Sequence, residues 1–167
     1  ETASRADRNR FKNFIARLQH IKESGADNKV KKALENVAFA IDSDMSPIVF
    51  CQYIQTAEYV GNYIANALSS NRKTKDVVVG IITSRLSDEE RKARIDELSS
   101  HSRHVLVCTD CLSEGVNLQQ GFDAIIHYDL PWNPNRVEQR NGRIDRFGQT
   151  SKSVLISTMY AENNPVD

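Results

Sequence analysis

Short apolar runs separated by stretches of helical period constrain this chain more than any other feature. Five such runs are predicted as strands: residues 47–51, 77–82, 104–108, 123–128 and 153–158. A strand that is apolar along its whole length must be covered on both faces, as in a parallel sheet between two layers of helices. The pattern therefore predicts an α/β fold built on an open parallel sheet. Function in such sheets lies at the carboxyl ends of the strands, here the loops after Phe50, Ile82, Cys108 and Tyr128.

Residues 1–44 contain no predicted strand and show two apolar repeats of helical period. The repeating residues are Phe11, Phe14, Ile15, Leu18 and Ile21 in the first stretch and Val30, Leu34, Val37 and Ile41 in the second. Gly25, with Asp27 and Asn28, is predicted to separate the two helices. We therefore expect a helical N-terminal extension over residues 1–44 and a sheet domain over residues 45–167.

Charge gives no argument for nucleic acid at the level of the whole chain, because 22 basic residues balance 22 acidic ones. Any such contact must come from local patches. The first 35 residues carry nine Lys or Arg against five Asp or Glu. That excess is typical of a solvated helical face, and a basic flank that meets phosphate is the alternative.

The cellular location of the protein is predicted from features that the sequence does not contain. It has no apolar run long enough for a membrane span and no signal peptide. Its three cysteines do not make a disulfide framework. We therefore expect an intracellular, cytoplasmic protein. The chain does not begin with Met, so we interpret it as a piece of a longer polypeptide.

An arginine-rich stretch after the fourth predicted strand does not resemble a core helix. Asn133 and Pro134 are predicted to begin a helix that ends near Gly148. On that helix Gln139, Arg143 and Arg146 would lie at positions i, i+4 and i+7 and share one face. Guanidinium groups are rigid forks of donors suited to phosphate oxygens.

Two further features of this stretch bear on the interpretation. Gly142 would lie in the middle of the helix, where it costs about 1 kcal/mol relative to Ala, and this suggests close approach by backbone or ligand. The alternative is a solvated helix whose arginines pair with Glu138 and Asp145.

The loop after the third predicted strand is rich in small and hydroxyl residues, beginning with Thr109 and Asp110. Such a loop can offer backbone N–H groups and hydroxyls to phosphates. The alternative is an ordinary strand-to-helix turn in which Thr109 or Ser113 caps the helix.

The cysteines and histidines near this loop raise two other hypotheses. His101, His104, Cys108 and Cys111 would suit zinc by residue type, but a strand between residues 104 and 108 would hold its ends roughly 13 Å apart. Zinc–ligand bonds are only about 2.0 to 2.3 Å long. A redox cysteine pair is the other hypothesis, and burial of Cys108 at a strand end argues for a small apolar residue instead.

The segment from Gln139 to Arg146 resembles the last helicase motif of superfamily 2, whose pattern is Gln-x-x-Gly-Arg-x-x-Arg. The Phe-Gly-Gln that follows is typical of the Swi/Snf branch of that superfamily. The resemblance implies the second RecA-like lobe of a helicase-type ATPase. It also implies that Arg143 and Arg146 are arginine fingers on the terminal phosphate of ATP, with Gln139 in the nucleotide site.

Residues 109–118 resemble the fifth motif of the same superfamily. The resemblance implies that Thr109 contacts the nucleic-acid backbone and that Glu114, Gly115 and Asn117 line the nucleotide cleft. The stretch from Cys111 to Glu114 departs from the glycine-rich pattern of eukaryotic remodellers and is similar to bacterial Swi/Snf-like proteins.

Weaker resemblances extend the match over roughly residues 45–160. Residues 48–53 are similar to the fourth motif, which implies a nucleic-acid contact at Gln52. Ser84 and Arg85 follow the second strand, where members of the superfamily contact a phosphate. Residues 129–134 are similar to the link between the fourth strand and the finger helix.

The chain has neither a Gly-x-x-x-x-Gly-Lys-Ser/Thr phosphate loop nor an acidic pair that would hold magnesium. In this superfamily both belong to the first lobe, so the resemblance implies that ATP with Mg is bound mainly there. We expect the isolated chain to be inactive, with double-stranded DNA and the first lobe of the same polypeptide as its partners. An RNA helicase lobe and a non-catalytic partner-binding module are the alternatives.

Overall fold

The computed structural model describes residues 5–23, 27–112 and 118–160. The chain divides into two compact units, Glu1–Lys32 and Ala33–Asp167. This division falls inside the second helix, whereas the sequence places a boundary between residues 44 and 45, which stays a prediction. None of the helices in the described ranges is long and apolar enough to cross a membrane.

The first unit contains α1 (Arg5–Glu23) and the beginning of α2 (Asn28–Asp42). Phe11, Phe14 and Ile15 belong to the predicted apolar repeat of α1, and all three side chains are exposed. The side chains of Leu18 and Ile21 and the predicted break at Gly25 lie outside the described residues.

The second unit contains the remainder of α2 and the rest of the described elements. In chain order these are β1 (Pro47–Phe50), α3 (Ile54–Ser69), β2 (Val78–Ile82), α4 (Asp88–Ser99), β3 (His104–Cys108), β4 (Ala124–His127), α5 (Pro134–Asn141) and β5 (Leu155–Thr158). A capping box begins α4. The Ser87 hydroxyl accepts from the Glu90 N–H at 3.3 Å, and the Ser87 N–H donates to the Glu90 carboxylate at 2.8 Å.

All five strands form one parallel sheet in the order β2-β3-β1-β4-β5. The predicted α/β fold with an open parallel sheet is therefore confirmed. The three central strands, β1, β3 and β4, are buried at every residue. The edge strands β2 and β5 stay partly exposed, although β2 is as apolar as the central strands; β5 is half polar.

The order of the strands brings three loops together at one edge of the sheet. Phe50 at the end of β1 lies in register with Cys108 of β3 on one side and with His127 of β4 on the other. Because parallel strands end at the same edge, the segments after these three residues are neighbours in space. The residues of interest for function lie there.

Candidate functional site

An open cleft of about 220 Å³ lies at the carboxyl edge of the sheet. Its walls come from the end of β1, from the loop after β3, from α5 and from Arg143, which follows α5. The lining residues are Phe50, Asp110, Leu112, Arg136, Gln139, Arg140 and Arg143. The cleft thus combines three guanidinium groups with one carboxylate, and its position agrees with the rule that predicts function at the carboxyl ends of strands.

Arg140 is the structural arginine of this cleft. Only 3% of the residue is exposed. Its Nε and Nη2 donate to the two carboxylate oxygens of Asp110 at 2.6 and 2.9 Å, and its Nη1 donates to the carbonyl oxygen of Asp129 at 2.8 Å. The guanidinium carbon also lies 5.2 Å from the centre of the Phe50 ring, within the range of a cation–π contact.

Arg136 enters the cleft one helical turn before Arg140 and is far less buried. Its side chain is 59% exposed, and its Nη1 lies 3.7 Å from the Asp110 carboxylate. An exposed pair at that distance contributes little to stability. The Arg136 guanidinium is therefore open to the cleft, while Asp110 is already neutralised by Arg140.

The predicted finger helix is shorter than the sequence suggests. α5 ends at Asn141, and Gly142 is its C-cap with φ −64° and ψ −3°. The next two N–H groups bond three residues back, from Arg143 to Arg140 and from Ile144 to Asn141. The low helix propensity of glycine and the burial of Ile144 in the core favour this early end.

The shared face predicted for Gln139, Arg143 and Arg146 is therefore wrong for Arg146, because that face requires the helix to continue. Gln139 and Arg143 do line the same cleft. Arg146 is exposed and does not belong to the lining found in the described part of the chain. The predicted pairing of the arginines with Glu138 and Asp145 is replaced by ion pairs of Arg136 and Arg140 with Asp110.

Thr109 lies at the end of β3 and is almost completely buried, with 6% exposed. Its N–H donates to the Ile82 carbonyl oxygen at 3.3 Å. Its role as a nucleic-acid contact stays a prediction. Glu114, Gly115 and Asn117 lie outside the described residues.

The remaining predicted contacts lie in two places. The Gln52 N–H donates to the Asp129 carboxylate at 3.2 Å, which ties the segment after β1 to the segment after β4. Ser84 and Arg85 follow β2 and are exposed. Arg85 pairs with Glu58 at 3.3 Å and borders a separate depression that does not include the residues of the main cleft.

A buried histidine contacts the last residue of α5. His127, at the end of β4, is fully buried, and its Nε2 lies 2.9 Å from Asn141 Oδ1. Among the described residues its Nδ1 has no hydrogen-bond partner. Burial lowers the pKa of His127, and the positive charge of Arg140 acts in the same direction, while the bond to Asn141 opposes the shift.

The strand that argues against the zinc hypothesis is present as β3, and Cys108 at its end is buried. His104 has both ring nitrogens against backbone carbonyls, of His101 at 2.7 Å and of Gly121 at 2.8 Å. Burial raises the pKa of the Cys108 thiol well above its usual value, which disfavours the reactive thiolate.

The sequence analysis named Asp110 only as part of the loop after the third strand, and it assigned no role in the site to Arg136 or Arg140. The role of Asp110 could have been predicted, because this residue lies two positions after a buried strand, at the edge of the sheet where function is expected. The burial of Arg140 depends on its contacts with two other loops, and no local pattern distinguishes it from Arg136 or Arg143.

The sequence of this chain matches a known protein family. The chain belongs to the helicase conserved C-terminal domain family, which matches residues 28–148, more than half of the sequence.

Among curated proteins, the chain is similar to an uncharacterized ATP-dependent helicase, YqhH, of Bacillus subtilis. The identity is 34% over 133 residues, which is 79% of this chain and 22% of YqhH. It is also similar to the ATP-dependent RNA helicase eIF4A of Meyerozyma guilliermondii, with 30% identity over 116 residues, 70% of this chain and 26% of eIF4A. The chain thus spans about a quarter or less of the length of these relatives.

Among solved structures, the C-terminal part of the Fun30 ATPase domain matches 81% of this chain and 41% of that chain. The TM-score is 0.67 and the sequence identity is 19%. At that identity the likeness shows the fold alone, which is the RecA-like fold of helicase C-terminal lobes.

Proposed function

We propose that this chain is the second motor lobe of an ATP-dependent helicase or translocase of the Swi/Snf-like type, acting on double-stranded DNA. The observation that carries the proposal is the joint position of Gln139 and Arg143 in one open cleft at the carboxyl edge of the sheet. Membership of the helicase C-terminal family supports the ATP-dependent part of the proposal.

The mechanism follows from the charges around the cleft. The phosphate loop and magnesium ligands belong to a first lobe of the same polypeptide, which presents ATP to this cleft. Arg140 neutralises Asp110, so the Arg143 guanidinium meets the terminal phosphate without a competing carboxylate. Positive charge placed there stabilises the transition state of phosphoryl transfer. Arg146 is exposed and would join only when the two lobes close.

The other site residues complete the proposal. We assign Glu114, Gly115 and Asn117 to nucleotide binding on the resemblance of their segment to the fifth motif. Thr109, Gln52, Ser84 and Arg85 contact the nucleic-acid backbone. Alternating contact through these loops, timed by ATP binding and phosphate release, would move the lobe along its strand.

The choice of duplex DNA rests on the Phe147-Gly148-Gln149 sequence, which is typical of the Swi/Snf branch. Two of these residues also have local structural roles. Gly148 adopts φ +96°, which favours glycine, and the Gln149 side chain donates to the carbonyl oxygens of Phe122 and Ile144 at 3.1 and 3.0 Å. Phe147 is fully exposed and is free to meet a partner.

RNA is the second candidate substrate, and the similarity to eIF4A, an ATP-dependent RNA helicase, favours it. A non-catalytic module that only binds partners is the third candidate function. The presence of Gln139 and Arg143 in the cleft argues against that candidate. We place the protein inside the cell, at the nucleoid if its source is bacterial.

The test is ATP turnover by the full-length protein, measured without nucleic acid and with duplex DNA, single-stranded DNA or RNA. We expect duplex DNA to stimulate turnover most strongly. Stimulation by RNA alone would move the chain to the RNA helicase branch. Absence of turnover under every condition would favour the non-catalytic module.

A further inference from the structure

The loop between α3 and β2, residues 70–77, presents cations at the amino edge of the sheet, opposite to the cleft. We call it the basic loop. Its side chains Arg72, Lys73 and Lys75 are exposed. None of these three forms an ion pair with a carboxylate in the described part of the chain. The basic loop therefore offers three cations to a ligand.

The one acidic residue of the basic loop does not cancel these charges. Asp76 accepts hydrogen bonds on both carboxylate oxygens from Arg103 Nη1, at 2.9 and 3.0 Å. These bonds, with a smaller contribution from the charge of Lys75, hold the pKa of Asp76 below its usual value. Because Arg103 matches the charge of Asp76, the three exposed cations stay uncompensated.

Hydrogen bonds fix the shape of the basic loop. The hydroxyl of Thr74, a residue that is 5% exposed, donates to the Leu68 carbonyl oxygen at 2.9 Å. The Lys73 N–H donates to Asn71 Oδ1 at 3.0 Å, and the Lys73 carbonyl oxygen accepts from Arg103 Nη1 at 3.0 Å. A ligand of these cations would therefore have little backbone to order, which favours binding.

The composition of the basic loop indicates the kind of ligand. Val77 is its one apolar residue, and it is partly buried. Protein partners are bound mainly through apolar and aromatic residues at the centre of an interface. Membrane surfaces are bound through clusters of about four to eight basic residues. A phosphate backbone needs only exposed Lys and Arg, so the chemistry favours a nucleic acid.

The nucleic-acid contacts assigned under the proposed function lie at the other end of the sheet. Ser84, Thr109 and Gln52 follow β2, β3 and β1, which are neighbours in the sheet. A segment that meets all three crosses the carboxyl edge from strand to strand. The basic loop lies at the opposite end of β2, whose five residues span about 16 Å. Duplex DNA, with a persistence length of about 150 bp, is too stiff to follow the carboxyl edge and then turn to this loop.

We propose that the basic loop binds the phosphate backbone of a second nucleic-acid segment, separate from the segment along which the motor moves. The inference rests on the proposed function, because a first segment must be bound at the carboxyl edge. Arg72 and Lys73 also follow the C-terminal end of α3, where cations stabilise a helix. That structural role alone would leave the binding of a second segment unchanged when the charges are removed.

The experiment is a bridging assay with the full-length protein. The protein is bound to an immobilised nucleic acid, the one that best stimulates its ATP turnover, and unbound protein is washed away. Capture of a second, fluorescently labelled duplex DNA is then measured at increasing salt. Labelled RNA and labelled polyglutamate are tested in parallel, to separate the two sources of phosphate from an acidic protein segment.

Three variants and a control are compared. The triple variant combines Arg72→Gln, Lys73→Gln and Lys75→Gln, and a charge-preserving variant combines Lys73→Arg and Lys75→Arg. The single change Lys73→Gln is matched by Lys92→Gln, at an exposed position of α4. Lys73→Gln keeps the test decisive if the triple variant fails to fold.

We expect wild type to capture the second segment with a slope of log affinity against log salt of about −2.7, from three cations at about 0.9 each. Lys73→Gln should make this slope shallower by about 0.9, and Lys92→Gln should not change it. The triple variant should still bind the immobilised nucleic acid but lose capture by at least about tenfold. The arginine variant should capture like wild type, because the charge is kept.

Several results would overturn the second segment. Capture by the triple variant equal to that of wild type, or an equal change of slope in Lys92→Gln, would show that the basic loop is not the site. Capture of polyglutamate in place of both nucleic acids would assign the loop to an acidic protein segment. A wild type that is stimulated by nucleic acid but captures no second segment refutes this inference alone. A wild type that binds no nucleic acid refutes the proposed function as well.

Discussion

At the scale of single residues, the arginines that line the cleft differ in how deeply they are buried, and their spacing in the sequence does not predict this difference. Arg140 is enclosed by Asp110 and by the Asp129 carbonyl, whereas Arg136 is mostly exposed to the cleft. A guanidinium can act on a phosphate only when its donors are not already satisfied. This difference therefore removes Arg140 from the set of possible fingers. Arg136 and Arg143 remain in the lining of the cleft, and of these two only Arg143 belongs to the motif predicted to contain the fingers.

His127 gives a prediction at this scale, because its pKa is lowered by burial. Between the lowered pKa of the folded state and the ordinary value of 6.5, the unfolded chain binds more protons than the folded one. The free energy of unfolding should therefore fall as pH drops below about 6.5, and His127→Gln should remove part of that fall. Urea unfolding at about pH 7.5 and 5.5 measures the effect.

The exposed His20 provides the control. His20→Gln should leave the fall attributed to His127 in place. If wild type and His127→Gln lose the same free energy between the two pH values, protonation of His127 does not oppose folding.

At the scale of elements, the strands were well predicted and the end of α5 was not. β3 spans His104–Cys108, as the apolar run indicates, because a central strand is specified by its own continuous apolar character. The end of α5 depends on tertiary contacts. Ile144 is drawn into the core and Asn141 bonds to His127, and helical periodicity contains no information about either contact.

In the cleft too, local sequence predicts some of the residues, whereas tertiary structure alone determines others. Gln139 and Arg143 were predicted from a short motif, and both line the cleft. The partnership of Asp110 with Arg140 joins residues that are 30 positions apart in sequence. Only the sheet order, which brings the ends of β1, β3 and β4 together, makes that partnership possible.

Gly142 gives the prediction for this scale. Its φ of −64° suits alanine. An added Cβ would lie 3.3 Å from the Glu138 carbonyl oxygen, and no described atom of another element lies within 4 Å. We expect Gly142→Ala to change the free energy of unfolding by less than about 1 kcal/mol. On the hypothesis that a ligand approaches the backbone at this glycine, the same change should lower ATP turnover of the full-length protein.

Gly80 in β2 is the matched contrast, since an added Cβ would lie 2.7 Å from Leu98 Cδ2. Gly80→Ala should cost about 1 to 3 kcal/mol of stability by overpacking. Full turnover by Gly142→Ala would show that no ligand approaches this glycine.

At the scale of the whole molecule, the chain matches only part of the length of each relative. It spans 22% of YqhH and 26% of the eIF4A relative. Its sequence contains a finger motif without the phosphate loop and magnesium ligands that a complete ATPase needs. Under the proposed function, we expect catalysis to require a first lobe that closes with this lobe around ATP.

The most direct measurement is ATP turnover by the full-length protein, with its best nucleic-acid activator, in wild type, Arg143→Ala and Arg103→Ala, alongside the isolated chain. An arginine finger contributes on the order of 10³ to 10⁵ in rate, so Arg143→Ala should lose at least about 10³-fold in kcat. Arg103→Ala should stay near wild type, and the isolated chain should show no turnover. Unchanged turnover in Arg143→Ala, or turnover by the isolated chain that Arg143→Ala abolishes, would contradict the account.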